Sequence, residues 1–152
     1  MDRVMLDSNV IIKHLLGEVD TTPVWQTAVV YYNPIVYSEV FYVLLLNETG
    51  ERPFTLKKRP EIVKNAAENV ITEMGIFREM LFLPVGKSTQ TLAENLVKEY
   101  GLLPGDAMIL ATAIENRIDY LITEDRDLLR VGSAEGCQIL QVSDYVKGVS
   151  TG

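Results

Sequence analysis

Short β-rich runs alternate with longer helical patterns along this chain, and no other feature limits its fold more strongly. Such alternation is typical of a parallel sheet that is covered by helices on both faces. The sequence predicts strands at residues 3–6, 81–85, 120–123 and 138–142, and a turn with a short strand at residues 33–36. It predicts helices at residues 10–16, 25–32, 39–46 (capped by Ser38), 61–74, 88–100, 104–116 and 128–130, with an irregular polar connection at residues 47–60.

The length of 152 residues suits one compact domain, residues 1–152, because folding at this size hides about 68–70% of the unfolded chain's surface. No apolar run approaches the ~18 residues of a membrane span, and the polar residues Asp7, Ser8 and Asn9 interrupt any secretory h-region. The single cysteine, Cys137, excludes an internal disulfide and fits a reducing compartment. We therefore expect a cytoplasmic protein with no membrane partner.

The formal charge of −7, from 14 Lys and Arg against 21 Asp and Glu, argues against a broadly basic surface for nucleic acid. Acidic side chains that converge on divalent cations are nevertheless compatible with a nucleic-acid substrate. Such a cluster is no longer a repulsive surface and attracts phosphate groups through the bound ions. The positions of the acids therefore matter more than their total.

Four acids lie at strand-to-helix junctions of the predicted outline. Asp7, Glu39 and Asp125 each follow a predicted strand closely, and Asp106 opens the most apolar predicted helix. The carboxyl ends of parallel strands meet along one edge of a sheet, where ligand sites collect. This geometry predicts that the four side chains lie together, although they are distant in sequence.

Each acid also has a structural alternative. Asp at a helix start is a common cap, and acids in a first turn are stabilised by the helix dipole. Asp127 competes with Asp125 for any ligand role. Taken together, however, four acids at one sheet edge favour a site for Mg²⁺ or Mn²⁺, which prefer carboxylate and water ligands. Zinc fits less well, because His14 and Cys137 are the only residues of their types.

Four segments of the chain resemble the PIN-domain nucleases, a family that includes the ribonuclease toxins of VapBC-type toxin–antitoxin systems. The order and spacing of the segments both match, and together they span almost the whole chain. The segments are Leu6-Asp7-Ser8-Asn9-Val10-Ile11, Ser38-Glu39-Val40, Leu103-Pro104-Gly105-Asp106-Ala107-Met108-Ile109-Leu110-Ala111-Thr112-Ala113 and Leu121-Ile122-Thr123-Glu124-Asp125-Arg126-Asp127-Leu128.

The resemblance implies a three-layer α/β/α sandwich around a mainly parallel five-stranded sheet. It also implies RNA phosphodiester hydrolysis by a metal-activated water, with one or two Mg²⁺ or Mn²⁺ ions bound by the acids. Residues carried over by position are the metal-site and catalytic acids Asp7, Glu39, Asp106 and Asp125, the orienting hydroxyls of Ser8 and Thr123, and Asp127 in support.

Substrate and partner contacts are less well defined by the sequence. Lys57, Lys58 and Arg59 are candidates for RNA phosphate contacts, against the alternative of a solvated loop. Four aromatic residues are candidates for stacking on unpaired bases, against the alternative of core or dimer packing: Trp25, Tyr31, Tyr32 and Tyr37. The resemblance further implies a homodimer and an antitoxin protein as partners.

Three other classes of protein compete with this interpretation. A haloacid-dehalogenase-type phosphotransferase needs a second Asp two residues after the first, and Asn9 stands there. A response-regulator receiver domain needs a late Lys, which residues 141–144 do not supply. A PIN-like scaffold that binds RNA or protein without cutting remains the alternative, and the presence of all four acids favours an active enzyme.

Overall fold

The computed structural model describes residues 1–151, and the side chains of residues 1–149. The strands are β1 (Asp2–Leu6), β2 (Ala28–Tyr32), β3 (Leu81–Phe82), β4 (Tyr120–Ile122), β5 (Ser133–Ala134) and β6 (Cys137–Leu140). The α-helices are α1 (Ser8–Leu15), α2 (Thr22–Thr27), α3 (Pro34–Thr49), α4 (Pro53–Lys58), α5 (Pro60–Glu73), α6 (Lys87–Tyr100), α7 (Pro104–Glu115), α8 (Arg126–Val131) and α9 (Val142–Thr151). A 3-10 helix spans Met74–Glu79.

The sheet has the strand order β3-β2-β1-β4-β6-β5, with every neighbouring pair parallel except β5 and β6. The mainly parallel sheet flanked by helices is thus confirmed, but the predicted count of five strands is wrong. The sixth strand is β5, which joins β6 through a two-residue turn. Both turn residues, Glu135 and Gly136, have positive φ (49° and 87°), as tight hairpins require. Two residues are too short a run to show a strand pattern in the sequence.

Helices cover both faces of the central strands. Val4, Met5 and Leu6 in β1 are each at most 1% exposed. Because successive side chains of a strand point to opposite faces, both faces of β1 must be covered. Leu121 and Ile122 in β4 are buried in the same way. The core therefore lies on both sides of β1 and β4, and the two strands end together beneath the loops that carry Asp7 and Asp125.

The predicted helix at residues 25–32 is wrong in its second half, where the chain forms β2. This segment pairs in parallel with β1, from Ala28 opposite Asp2 to Tyr31 opposite Met5. Its β-branched and aromatic side chains suit a strand that has neighbours on both edges. Pairing with distant parts of the chain therefore decided the structure of a segment whose local pattern was ambiguous.

The predicted turn and strand at residues 33–36 are also wrong, because α3 begins at Pro34. Asn33 caps this helix, since its Oδ1 accepts a hydrogen bond from the backbone N–H of Val36 at 2.9 Å. Ser38 therefore lies inside α3 and is not its cap. The helix continues beyond the predicted end to Thr49, and Gly50 follows it with a left-handed φ of 68°.

The predicted irregular connection at residues 47–60 is wrong as well. It contains the end of α3, the whole of α4 and the start of α5. Both α4 and α5 begin with a proline, Pro53 and Pro60 respectively. Proline suits the first helical position because an N–H at that position would have no partner within the helix. The other predicted helices agree with the structure to within a few residues at each end. Among the described residues, no helix combines the length and hydrophobicity that a membrane span requires.

Candidate metal centre

Asp7 lies directly after β1 and is held by donors on both carboxylate oxygens. Its own N–H donates to the Ile122 carbonyl at 2.9 Å and so extends the pairing of β1 with β4. Its Oδ1 accepts from the Ser8 N–H at 2.8 Å, and its Oδ2 accepts from the Thr123 hydroxyl at 2.7 Å. The side chain is only 3% exposed. Asp7 therefore caps α1 and is fixed in orientation.

Asp125 lies after β4 and is tied to the same hydroxyl. The backbone N–H of Asp125 donates to Thr123 Oγ1 at 2.9 Å, while its carboxylate caps α8 by accepting from the Asp127 N–H at 2.8 Å. The Thr123 hydroxyl thus receives a hydrogen bond from one acid and gives one to the other. This contact fixes the two loops relative to each other.

Asp106 completes a cluster with these two acids. It is the third residue of α7, and carboxylate oxygens of Asp7, Asp106 and Asp125 all lie within 4.8 Å of one another. We refer to these three residues as the acid cluster. Asp7 is buried and the other two are partly buried, so the oxygens face a site that solvent and a ligand can reach.

Glu39 lies beside the acid cluster but not where the sequence pattern placed it. It does not follow a strand or open a helix, because α3 begins five residues earlier at Pro34. Its exposed carboxylate lies in the second turn of α3 and in the field of Asp7 and Asp125. Partial loss of hydration, and then those two charges, raise the pKa of Glu39 above its usual value.

A buried polar contact that sequence reasoning missed joins the helices that carry Glu39 and Asp106. Asn33 Nδ2 donates to Thr112 Oγ1 at 2.9 Å, and the Thr112 hydroxyl donates to the Met108 carbonyl at 2.8 Å. Asn33 and Thr112 are both fully buried. Asn33 therefore caps α3 and locks it against α7. An Asn before a proline was the only available signal in the sequence.

Asn9 makes a second contact of this kind. Its Oδ1 accepts a hydrogen bond from the backbone N–H of Glu124 at 3.3 Å, which joins α1 to the loop that carries Asp125. In the sequence, Asn9 occupies the position where a haloacid-dehalogenase-type enzyme would need a second Asp. In the structure it helps to hold together the two loops that form the acid cluster.

The supporting residues predicted from the sequence have different surroundings. Ser8 and Thr123 are buried and contact Asp7 directly. Asp127 is exposed, and its carboxylate contacts Arg130 on the next turn of α8. Of the two competing candidates Asp125 and Asp127, the structure brings only Asp125 into the acid cluster.

Lys57, Lys58 and Arg59 are exposed and lie beyond the far end of α3. The ten residues from Glu39 to Thr49 span about 15 Å of helix. Lys58 Nζ lies 4.0 Å from the centre of the Phe54 ring, and Arg59 Nε lies 3.0 Å from Glu61 Oε1. These cations therefore do not neutralise the acid cluster.

The acid cluster carries uncompensated negative charge. Burial, followed by the charges of Asp7, Asp125 and Glu39, raises the pKa of Asp106 to about 7. Burial also raises the pKa of Asp7, against the lowering effect of its hydrogen bonds from Thr123 and Ser8. Within residues 1–149, the ion pairs are Arg59 with Glu61 and Arg130 with Asp127, and neither includes a residue of the cluster.

The two residues that favour softer metals lie elsewhere. The Nδ1 atom of His14 accepts a hydrogen bond from the Thr21 N–H at 3.2 Å. Cys137 is buried in β6, where burial raises the pKa of its thiol to about 11. Oxygen is the only ligand type in the acid cluster, as hard cations such as Mg²⁺ and Mn²⁺ prefer.

Comparisons with known proteins agree with this architecture. Ribonuclease VapC2 of Methanocaldococcus jannaschii is 29% identical over 143 residues, covering 91% of this chain and 95% of the relative. The structure of PAE2754 from Pyrobaculum aerophilum superposes with a TM-score of 0.65 at 14% identity, over 99% of this chain and 91% of that one. The structure of VapBC-5 of Mycobacterium tuberculosis, from the VapBC family of toxin–antitoxin systems, superposes with a TM-score of 0.60 at 18% identity. This superposition covers 91% of this chain and 98% of that one.

The family model described as the PIN domain matches residues 4–134. This range runs from β1 to the antiparallel strand β5 and includes Asp7, Glu39, Asp106 and Asp125. Because the match covers most of the chain, the protein belongs to the PIN domain family.

Proposed function

We propose that this protein is a divalent-metal-dependent endoribonuclease, and that Asp7, Glu39, Asp106 and Asp125 form its metal site. The observation that carries the proposal is the approach of three carboxylates to within 4.8 Å, without a cation among residues 1–149 to neutralise them. The similarity of this chain to Ribonuclease VapC2 supports RNA as the substrate class. Mg²⁺ and Mn²⁺ are the proposed cofactors.

The side chains fit a hard dication for two reasons. The acid cluster offers only oxygen ligands, and each oxygen of Asp7 accepts one hydrogen bond and keeps further lone pairs for a metal. The raised pKa of Asp106 also indicates that positive charge is the missing partner of this site. A bound dication would favour the ionised form of every acid in it.

The chain's own residues position the reaction. Thr123 and Ser8 hold Asp7, and the cap on α8 holds Asp125, so the carboxylates need no rearrangement when charge develops. Glu39, which is exposed and lies in the field of Asp7 and Asp125, would add a further oxygen ligand. Divalent ions bound in the site would lower the pKa of coordinated water and stabilise charge on the departing oxygen of the phosphodiester.

A toxin role and its partners follow from the similarity. The VapBC-5 structure belongs to a toxin–antitoxin system, and its fold resembles this chain over most of both lengths. We therefore include an antitoxin protein among the proposed partners, and we propose a homodimer on the resemblance to the PIN-domain nucleases alone. Lys57, Lys58 and Arg59 are proposed phosphate contacts, because residues 51–61 hold Arg52 and these three cations against only Glu51 and Glu61 in an otherwise acidic chain.

Incubation with a mixed RNA pool tests the proposal. The parent protein should cut RNA with Mg²⁺ or Mn²⁺ and stop when EDTA is added. Asp125→Asn should abolish cutting without unfolding α8, because Asn caps helices as well as Asp does. Asp127→Asn is the matched control and should keep the activity. RNA cleavage that survives EDTA or Asp125→Asn would contradict the mechanism, and metal binding without cleavage would favour a scaffold.

A further inference from the structure

Four aromatic rings form a contiguous group at one end of the sheet, and we call Tyr32, Tyr37, Phe77 and Phe82 the aromatic shelf. Tyr32 lies at its centre, with ring-centre distances of 6.1 Å to Tyr37, 5.6 Å to Phe82 and 4.8 Å to Phe77. Tyr37 also lies 5.0 Å from Phe77. Most of these pairs are edge-to-face, which is a favourable aromatic geometry.

The outer rings of the aromatic shelf are exposed while the inner ones are not. Tyr37 is 37% exposed and Phe82 is 55% exposed, whereas Phe77 is only 4% exposed. The buried ring and the partly buried Tyr32 support the exposed ones, so two π-surfaces are held in place toward solvent. Exposed apolar rings on a rigid support are typical of a binding surface.

The aromatic shelf lies on the same edge of the sheet as the acid cluster. Tyr32 pairs with Phe82 across β2 and β3, and β1 pairs with β2 as far as Met5 opposite Tyr31, one residue before these strands end at Leu6 and Tyr32. Asp7 is the next residue after Leu6. The backbone of Tyr32 lies one strand spacing of about 4.8 Å from β1, and that of Phe82 lies two, so the shelf extends from about 5 Å to about 10 Å from the strand end that carries Asp7.

Helix α3 connects the two surfaces. Tyr37 and Glu39 are two residues apart, a spacing that places side chains on different sides of a helix. Tyr37 packs against Phe77 and Phe41, whereas Glu39 lies in the field of Asp7 and Asp125. A polymer that crosses the beginning of α3 would therefore contact the acid cluster on one side and the aromatic shelf on the other.

We infer that Phe82 and Tyr37 bind an unpaired base of the RNA substrate, beside the phosphate at the acid cluster. The inference rests on the proposed function. Aromatic side chains stack on any base because every base has a π-face, and a base must be unpaired to reach them. The substrate class is therefore RNA with a single-stranded segment beside the cleaved bond.

The other aromatic residues that the sequence suggested for stacking are occupied. Tyr31 is buried beneath Arg3, whose guanidinium carbon lies 4.9 Å from the ring centre. Trp25 donates its indole N–H to Thr21 Oγ1 at 2.9 Å, and it is partly buried against the core. Phe82, which the sequence analysis did not select, is the more accessible surface.

Binding of labelled RNA to the full chain tests this inference. The parent for the assay carries Asp125→Asn to prevent cleavage, and the probes are a fluorescein-labelled oligoadenylate of about twelve nucleotides and its duplex with oligouridylate. Phe82→Leu keeps the apolar side chain but removes the π-face, and Phe82→Trp restores it. Tyr100→Leu is the matched control for Tyr37→Leu, because Tyr100 is equally exposed at 37% on the unrelated helix α6.

Phe82→Leu and Tyr37→Leu should each raise the Kd for the single strand by about 5- to 100-fold, the range that loss of one stacked base predicts. Phe82→Trp and Tyr100→Leu should bind like the parent, and duplex binding should not change. A 2-aminopurine base placed within the oligoadenylate should lose its stacking-dependent fluorescence change in Phe82→Leu.

Several results would overturn the inference. Unchanged single-strand affinity in Phe82→Leu would do so, as would equal losses in Phe82→Leu and Phe82→Trp. If Phe82→Leu instead separates a dimer by light scattering while its RNA affinity is unchanged, the aromatic shelf is an interface between copies. Cleavage by the wild-type protein combined with normal binding by the shelf variants would remove only this inference, whereas no RNA binding or cleavage at all would remove the proposed function as well.

Discussion

Thr123 Oγ1 lies 2.7 Å from Asp7 Oδ2 and donates a hydrogen bond to it, while the same hydroxyl accepts from the N–H of Asp125. One fully buried side chain thus connects the loops after the two central strands. The contact explains how acids separated by more than a hundred residues keep a fixed relative position. It also identifies the residue whose loss should disturb the site without removing an acid.

Thr123→Val should destabilise the protein by about 1–3 kcal/mol, because it leaves one oxygen of the buried Asp7 and the partly buried N–H of Asp125 without partners. It should also raise the pKa of Asp7 further and weaken Mn²⁺ binding. Chemical denaturation and metal titration measure these effects. Thr123→Ser, which keeps the hydroxyl, should lie close to the parent, and equal losses in both variants would refute the hydrogen-bond explanation.

The raised pKa of Asp106 predicts how the stability of the metal-free protein depends on pH. Its pKa rises from 3.8 to about 7 on folding, so between these values the folded state holds a proton that the unfolded state has released. The contribution of Asp106 to the free energy of unfolding is therefore fully present below about pH 4, and it is lost as the pH rises to about 7. Discounted for partial exposure, the effect is about 1–2 kcal/mol.

Asp106→Asn should remove that loss, because its side chain has no proton to release. Without metal, the variant should be more stable than the parent at pH 8, and the two should differ less at pH 4. Thermal unfolding in EDTA across this pH range measures the difference. A parent that is more stable than the variant at pH 8 in EDTA would contradict the electrostatic interpretation of the acid cluster.

Asn33→Ala should destabilise the protein by about 1–3 kcal/mol, because it removes the cap of α3 and leaves the buried Thr112 without its donor. Activity should fall further than stability explains, since α3 carries Glu39 and α7 carries Asp106. Denaturation and RNA cleavage at a temperature where both proteins are folded measure the two effects. Asn95→Ala, an exposed asparagine on α6, is the control and should leave both unchanged.

Replacing Lys57, Lys58 and Arg59 together by Ala should weaken RNA binding and reduce its dependence on salt. Each lost phosphate contact should lower the slope of log K against log salt by about 1. Fluorescence anisotropy between about 50 and 200 mM salt measures this slope. An unchanged slope would show that the three cations form a solvated surface.

The sequence predicted the outline of the fold because local patterns there agree with the tertiary structure. The predicted helices at residues 88–100 and 104–116 match α6 and α7 closely, since proline and glycine mark their ends. The segment at residues 28–32 was predicted wrongly because Ala28–Tyr32 is a strand only through its pairing with β1 and β3. No local pattern contains those partners.

The same limit applies to the candidate site. The residue types and order of the four acids are informative enough to make them candidates, but the position of Glu39 inside α3 depends on Asn33, five residues before Ser38. The choice between Asp125 and Asp127 required the hydrogen bonds of the β4–α8 loop. The hydrogen bond between Asn33 and Thr112 spans 79 residues, and the sequence shows only the Asn before a proline, which says nothing of Thr112.

Calorimetric titration of Mn²⁺ into the metal-free protein tests most directly whether these acids converge on a cation. The parent should bind one or two ions, with an affinity that increases from pH 6 to pH 8 as Asp106 loses its proton. Asp125→Asn should abolish or greatly weaken the binding, and Asp127→Asn should leave it intact. No Mn²⁺ binding by the parent, or equal binding by the parent and Asp125→Asn, would contradict the account.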